Sequence, residues 1–211
     1  IIKYSAEGEC EWAKGIGGSR HDEVNSVAEC SDGGYVAGGY FSSSSIDLGN
    51  GVSISNEEGK SGFLDGLIIK YNAEGECEWA KEIGGSNSDS IQSVAETSDG
   101  GIVAGGYFSS SSIDLGNGIV LTNNGSQMYD DGMIIKYDAF GVCEWAKGIG
   151  SSNEDRIYSV AETSDGGIIA GGDFRSDSID LGNGVSLTNK VDSDGMIIKY
   201  NASGECEWAK G

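Results

Sequence analysis

The residues of this chain that could do chemistry are five cysteines, one histidine and 34 acidic side chains. Thiolates and imidazoles are zinc ligands when they are closely spaced. Here Cys10, Cys30, Cys77, Cys143 and Cys206 form no Cys-x-x-Cys pair, and His21 is the sole imidazole, so no zinc centre is expected. The carboxylates offer a different possibility. Calcium takes six to eight oxygen ligands, drawn from loop carboxylates, amides and carbonyls. Asp47 with Asn50, Asp114 with Asn117, and Asp180 with Asn183 recur three residues apart in Ile-Asp-Leu-Gly-Asn-Gly, and Asp65 or the Asp130-Asp131 pair could also contribute. These are the calcium candidates. The competing role is that of a turn former bonding its own backbone, and it is the one expected, so no metal or other cofactor is favoured. Catalysis has little to draw on. His21 has no counterpart in the other repeats, the carboxylates are too many for sequence to select a pair, and the Gly-Gly pairs stand in strand-like runs rather than at a helix start. No enzyme is expected.

These residues are positioned by an internal repeat. Ile-Ile-Lys-Tyr starts at Ile1, Ile68, Ile134 and Ile197, and Cys-Glu-Trp-Ala-Lys at Cys10, Cys77, Cys143 and Cys206. Both recur at spacings of 67, 66 and 63 residues. Ser-Val-Ala-Glu returns at Ser26, Ser93 and Ser159. A fixed period of this length signals a propeller, a solenoid or an array. The length differences fall in the polar stretch before Ile-Ile-Lys-Tyr, which is therefore expected to be a loop. The expected division is a half unit at 1–15 and full units at 16–82, 83–148 and 149–211.

Each unit reads as four strands. In the first they are Val24 to Cys30, Tyr35 to Phe41, Gly66 to Asn72 and Cys77 to Ile83. Ser31-Asp32-Gly33-Gly34 supplies the positive φ of a hairpin turn, and Gly49-Asn50-Gly51 suggests a small extra hairpin. No segment keeps a 3.6-residue apolar period, so almost no helix is expected. The fold class is all-β, a β-propeller-type array of four-stranded antiparallel blades, with a β-solenoid or stacked filament as the alternative. The hairpin turns favour blades, because a solenoid coil would pair Val36 with Val103 of the next unit rather than with its own neighbours. Cysteines at one position of successive blades lie too far apart to bridge, so they are expected to be buried free thiols. Trp12, Trp79, Trp145 and Trp208 are expected in the core, each covering the neighbouring blade, with sugar stacking as the other use.

The run Asp-Gly-(Leu/Met)-Ile-Ile-Lys-Tyr, the Trp of the following strand and Ser-Asp-Gly-Gly-(Tyr/Ile)-x-Ala-Gly-Gly resemble bacterial β-propeller repeats of the SBBP type. The resemblance covers nearly the whole chain and implies an extracellular or cell-surface protein without assigned catalysis. The cysteine before each Trp departs from the ordinary strand residue of that pattern.

Net charge narrows the partners. With 13 basic side chains and a formal charge of −21, the chain lacks the basic footprint that nucleic acid requires. No apolar run reaches the length of a membrane helix, so no membrane insertion is expected. Glycine accounts for 36 residues and proline for none, which suits strands and turns at a fixed period. Three and a half blades do not close alone, so self-association with further copies or blades is expected. The expected function is a structural or adhesive repeat protein that could form a fibre. The alternative is a module binding a glycan or protein through equivalent loops, such as Ser42 to Ser45 and Ser109 to Ser112.

Overall fold

The computed structural model describes residues 1–56, 63–125 and 128–211. Part of the expected loops before Ile68 and Ile134 lies outside these. The described chain is all-β and has no helix. A leading pair, β1 (Ile2–Tyr4) and β2 (Cys10–Ala13), precedes three complete units. The first contains β3 (Asp22–Glu29), β4 (Tyr35–Phe41), a side hairpin β5 (Ser45–Gly49) and β6 (Val52–Ser55), then β7 (Asp65–Tyr71) and β8 (Cys77–Ile83). The second repeats this order as β9 (Asp89–Glu96), β10 (Ile102–Phe108), β11 (Ser112–Asp114), β12 (Val120–Thr122), β13 (Asp131–Tyr137) and β14 (Cys143–Ile149). The third comprises β15 (Asp155–Glu162), β16 (Ile168–Phe174), β17 (Ser178–Asp180), β18 (Ser186–Thr188), β19 (Asp194–Tyr200) and β20 (Cys206–Lys210).

In each unit the four main strands make one antiparallel sheet, ordered β3-β4-β7-β8 in the first, while the side hairpin forms a separate two-stranded sheet. Val36 pairs with Ala28 of β3 and Lys70 of β7, both within its own unit. Each sheet is therefore a blade, the stacked-coil alternative does not hold, and the fold is a propeller-like array in which no sheet closes.

The glycines explain how the blades form. In β3 the register shifts between Val24 and Ser26, a bulge that bends the innermost strand. Gly39 lies opposite, where a Cβ would come within 1.9 Å of the Glu23 carbonyl, so no larger residue fits. A second bulge, between Lys70 and Tyr71 of β7, leaves Glu78 as the extra residue of β8. Strand alternation then sends two sets of apolar side chains to opposite faces. Val36 and Ile68 join Ile91, Val94 and Ile102 of the second blade in one core cluster, while Leu67 and Ile69 join Phe41, Ile46 and Leu48 over the side hairpin. The core thus runs between blades, and burying each such aliphatic side chain is worth about 1.5–3 kcal/mol.

Candidate functional site

The Asp–Asn pairs sit in the three side hairpins. Asp47 accepts a hydrogen bond from the Gly49 amide at 2.9 Å, and Asp114 and Asp180 do the same from Gly116 and Gly182. Asn50, Asn117 and Asn183 adopt φ near +54°, the left-handed turn conformation that asparagine tolerates. Their side-chain amides donate to the carbonyls of Cys77, Cys143 and Cys206, tying each hairpin to the fourth strand of its own blade. The turn role accounts for these contacts. Among the described residues no group of three or more His, Cys, Asp or Glu is placed to hold a metal.

Two repeated polar sets make contacts that the sequence did not foretell. The lysine of Ile-Ile-Lys-Tyr is buried in the three complete blades, as Lys70, Lys136 and Lys199. Lys70 donates to Asp32 of the first hairpin at 2.7 Å and to Glu78, the bulged residue, at 3.2 Å. Lys136 bridges Asp99 and Glu144 in the same way, and Lys199 bridges Asp165 and Glu207. Burial works against the Lys70 charge, but the bonds to Asp32 and Glu78 prevail and hold it above the ordinary lysine range. The clue was a fixed lysine inside an apolar run.

The second set joins Asp22, Asp89 and Asp155 to the serine loops. These aspartates are the first residues of β3, β9 and β15. Asp22 accepts from the Ser43 hydroxyl at 2.7 Å, Asp89 from Ser110 at 2.6 Å and Asp155 from Ser176 at 2.6 Å. Ser43 and Ser110, from loops considered for ligand contact, are therefore buried. Burial pushes Asp89 up to about 7 despite its hydrogen bonds. Asp131 is pushed up to about 6, first by burial and then by the neighbouring Asp155 and Asp130 charges. Its Oδ2 accepts from the Asn124 amide, while its Oδ1 has no hydrogen-bond partner among the described residues.

Tryptophan occupies the joint between blades rather than a blade core. Trp12 Nε1 donates to the Ala73 carbonyl at 3.2 Å, Trp79 to Ala139 at 3.2 Å and Trp145 to Ala202 at 3.0 Å. Each ring lies on a glycine of the receiving turn, Gly75, Gly141 or Gly204, where a Cβ would come within 3.0 Å of the indole. Trp208 is 41% exposed. All five cysteines are free, as expected. Cys30, Cys77, Cys143 and Cys206 are buried, but Cys10 is exposed, contrary to expectation, because its short leading sheet has two strands rather than four.

A concave surface lies beside that leading pair. A cavity of about 660 Å³ is lined by Ile2, Tyr4, Trp12, Val27, Glu29 and Tyr35, among others. Its walls come from both strands of the pair, from Val27 to Glu29 of β3 and from Tyr35 at the start of β4. Besides its apolar side chains it includes the repeated Lys3 and Glu29.

No protein-family model matches the chain. It is 28% identical over 149 residues to an uncharacterized WD repeat-containing protein, L264, of Acanthamoeba polyphaga mimivirus, a stretch covering 66% of this chain and 10% of that protein. It is 29% identical over 128 residues to the regulatory protein FlaEY of Caulobacter vibrioides, covering 61% of this chain and 13% of that one. The chain therefore matches only about a tenth of the length of these curated relatives. The four-stranded blades and the distant WD-repeat similarity together describe a β-propeller-like repeat protein.

Proposed function

We propose that this chain is a non-enzymatic structural or adhesive scaffold of the SBBP type that acts outside the cell or at its surface and associates with further copies. The observation that carries this reading is the use made of the repeated polar residues. The lysines tie the hairpins to the outer strands, the aspartates fasten the serine loops, and the indole N–H groups clasp the next blade. Motifs repeated at such fidelity serve to brace each blade and to join it to the next. Burial of four thiols leaves them little reactive thiolate, with Cys77 and Cys143 pushed up to about 11, which is compatible with an oxidising setting.

A binding module is the second reading. Its supporting observation is the three side hairpins, whose tips at Gly49 to Gly51, Gly116 to Gly118 and Gly182 to Gly184 stand in open space. Three equal platforms would give multivalent capture of a glycan or protein. Cells displaying the chain separate the two readings. Retention on a surface coated with the same chain supports the adhesive scaffold. Retention only on glycan or foreign protein surfaces transfers the function to the hairpin tips, and retention on neither overturns both.

A further inference from the structure

The two internal joints of the array are built alike. At the first, Gly38 makes room for Ile91 and Val94 of the next blade, whose methyl groups would lie 2.7 and 2.6 Å from a Cβ there. Gly105 does the same for Ile157 and Val160 at the second. The Val94 amide donates to Ser26 Oγ, and the Val160 amide to Ser93 Oγ. Ser31 gives Glu96 two hydrogen bonds, from its amide at 2.7 Å and its hydroxyl at 3.0 Å. Ser98 gives Glu162 the same pair at 2.8 Å each. The tryptophan clasp completes each joint.

Both halves of a third such joint are present and uncovered. On the outer face of the third blade, a Cβ at Gly171 would meet, among the described residues, only the Met196 carbonyl oxygen at 4.0 Å, and one at Gly195 only that of Gly172 at the same distance. Ser159, Ser164, Ile197 and Trp208 are exposed there. On the outer face of the first blade, Val27 is 57% exposed and Glu29 is also exposed; they occupy the positions of Val94 and Glu96. Ala73 and Gly75, the receiving turn for a tryptophan, hold Trp12 of the leading pair.

Resting on the self-associating reading above, we propose that a second copy of this chain docks head to tail, its third blade closing on the first blade of its neighbour. Val27 enters the space at Gly171. Ser159 Oγ accepts from the Val27 amide, and Ser164 donates to Glu29. The β19–β20 hairpin takes the place of β1–β2, which has almost the same sequence, so that Trp208 replaces Trp12 on Gly75. That exchange is nearly neutral because like replaces like. The net gain comes from burying Val24 and Val27 and from the bonds at Ser159 and Glu29. Such a heterologous contact makes a ring where the rotation closes and a filament where it does not. Two copies carry six complete blades, within the four to eight typical of propellers.

Sedimentation velocity across a concentration series, in salt near 0.15 M to screen the −21 charge, tests this. The unaltered chain is expected at twice its own mass or more. Gly171→Val has room in the isolated fold, so circular dichroism should hold while the particle reverts to single chains. Glu29→Ala should weaken association about tenfold, the loss of roughly one charge-assisted hydrogen bond. General charge repulsion predicts the opposite sign, because this variant removes a negative charge. Association that neither substitution weakens overturns the joint and leaves the adhesive reading standing. A single chain at every concentration also overturns the joint, and cell retention then decides the adhesive reading separately.

Discussion

Ile1–Gly15 and Ile197–Gly211 differ only at Ser5 against Asn201 and Glu7 against Ser203, yet the fold treats them differently. Tyr4 is 58% exposed and Tyr200 only 1%. Ile2 is 55% exposed and Ile198 not at all. Cys10 is open to solvent and Cys206 is buried. Local structure is shared, since both segments form an antiparallel pair with the bulge after the lysine. What differs is the company. β19 lies against β16 within a full blade, whereas β1 pairs with β2 alone. The tryptophans reverse the pattern, Trp12 resting on the next blade while Trp208 is exposed. Within one sequence, then, the preceding strands bury Tyr, Cys and Lys, and the following blade covers Trp.

The widest split should appear in thiol chemistry. Burial raises the Cys206 thiol above its ordinary range and pushes Cys30, Cys77 and Cys143 to about 11. Thiolate is the reactive form, and at neutral pH its fraction falls about tenfold each time the thiol pKa climbs by about one. A disulfide reagent under native conditions should therefore label one thiol per chain quickly, at Cys10, with the other four reacting orders of magnitude more slowly. Peptide mapping that finds Cys206 labelled as fast as Cys10 would break the comparison.

Tyrosine truncation should give the largest change in stability. Removing a large buried side chain and leaving a cavity costs about 3–5 kcal/mol. Tyr200→Ala is expected to fall in that range, while Tyr4→Ala stays within about 0.5 kcal/mol, as substitutions at exposed sites do. Urea unfolding of the two variants measures the contrast. Equal losses would mean that the leading pair is as tightly held as the third blade.

Acid–base behaviour extends the contrast to equivalent aspartates of successive blades. Asp22, half-buried, lies below the ordinary carboxyl range: burial is the largest influence and opposes this, but hydrogen bonds from Ser43, Gly18 and Ser42 outweigh it. Asp89, fully buried, goes up to about 7. An acid whose folded pKa is raised keeps its proton longer when folded, so the unfolded state binds fewer protons and stability falls as pH rises. For Asp89 this loss runs from about pH 4 to 7, at about 1.4 kcal/mol per pH unit. Asp22 works the other way, its contribution being present above about pH 4 and lost below it. Urea midpoints should therefore decline between pH 5.5 and 7, where ordinary carboxyls have finished titrating. Asp89→Asn should reduce that decline, leaving the share of Asp131, and Asp22→Asn should leave it intact. A decline unchanged in Asp89→Asn would place its origin elsewhere.

How much of this was legible in the sequence follows from the physics of each feature. The blades were, because turns and apolar alternation are local: Ser31 to Gly34 and Gly49 to Gly51 make their turns where their glycines require them. The hairpin role of Asp47 and Asn50 was legible for the same reason. The Lys70 bridge was not, since Asp32 and Lys70 meet only after β4 and β7 pair, and Glu78 is turned towards them by a bulge that leaves no mark in composition. The pairing of Asp89 with Ser110 likewise depends on a loop folding back over 21 residues. Cys10 was misread because the repeat suggests four equivalent positions, whereas burial depends on the strands beside each of them.

The smallest effect expected is that of the buried lysine. Lys199 and Lys3 are the same residue of the same motif, each bonded to the glutamate of its bulge, Glu207 or Glu11, at 2.9 Å. Lys199 has a second partner, Asp165, and its side chain is 7% exposed against 29% for Lys3. Asp165 and Glu207 are 65% and 44% exposed, so water screens much of the attraction and neither becomes a buried unpaired charge when the amine is removed. Lys199→Met keeps the apolar stem in place and loses charge-assisted hydrogen bonds, including those to Asp165, which tie the first hairpin of the blade to β19. The expected cost is about 1–2 kcal/mol. Lys3→Met removes one partly exposed pair and the amine's place over the Tyr35 ring, and its unfolding midpoint should fall by less than that of Lys199→Met. Raising salt should narrow the gap between Lys199→Met and its parent only slightly, because a buried amine is screened less than an exposed one. A gap that vanishes at high salt would reduce the bridge to a surface ion pair and remove lysine from the contrast between the two segments.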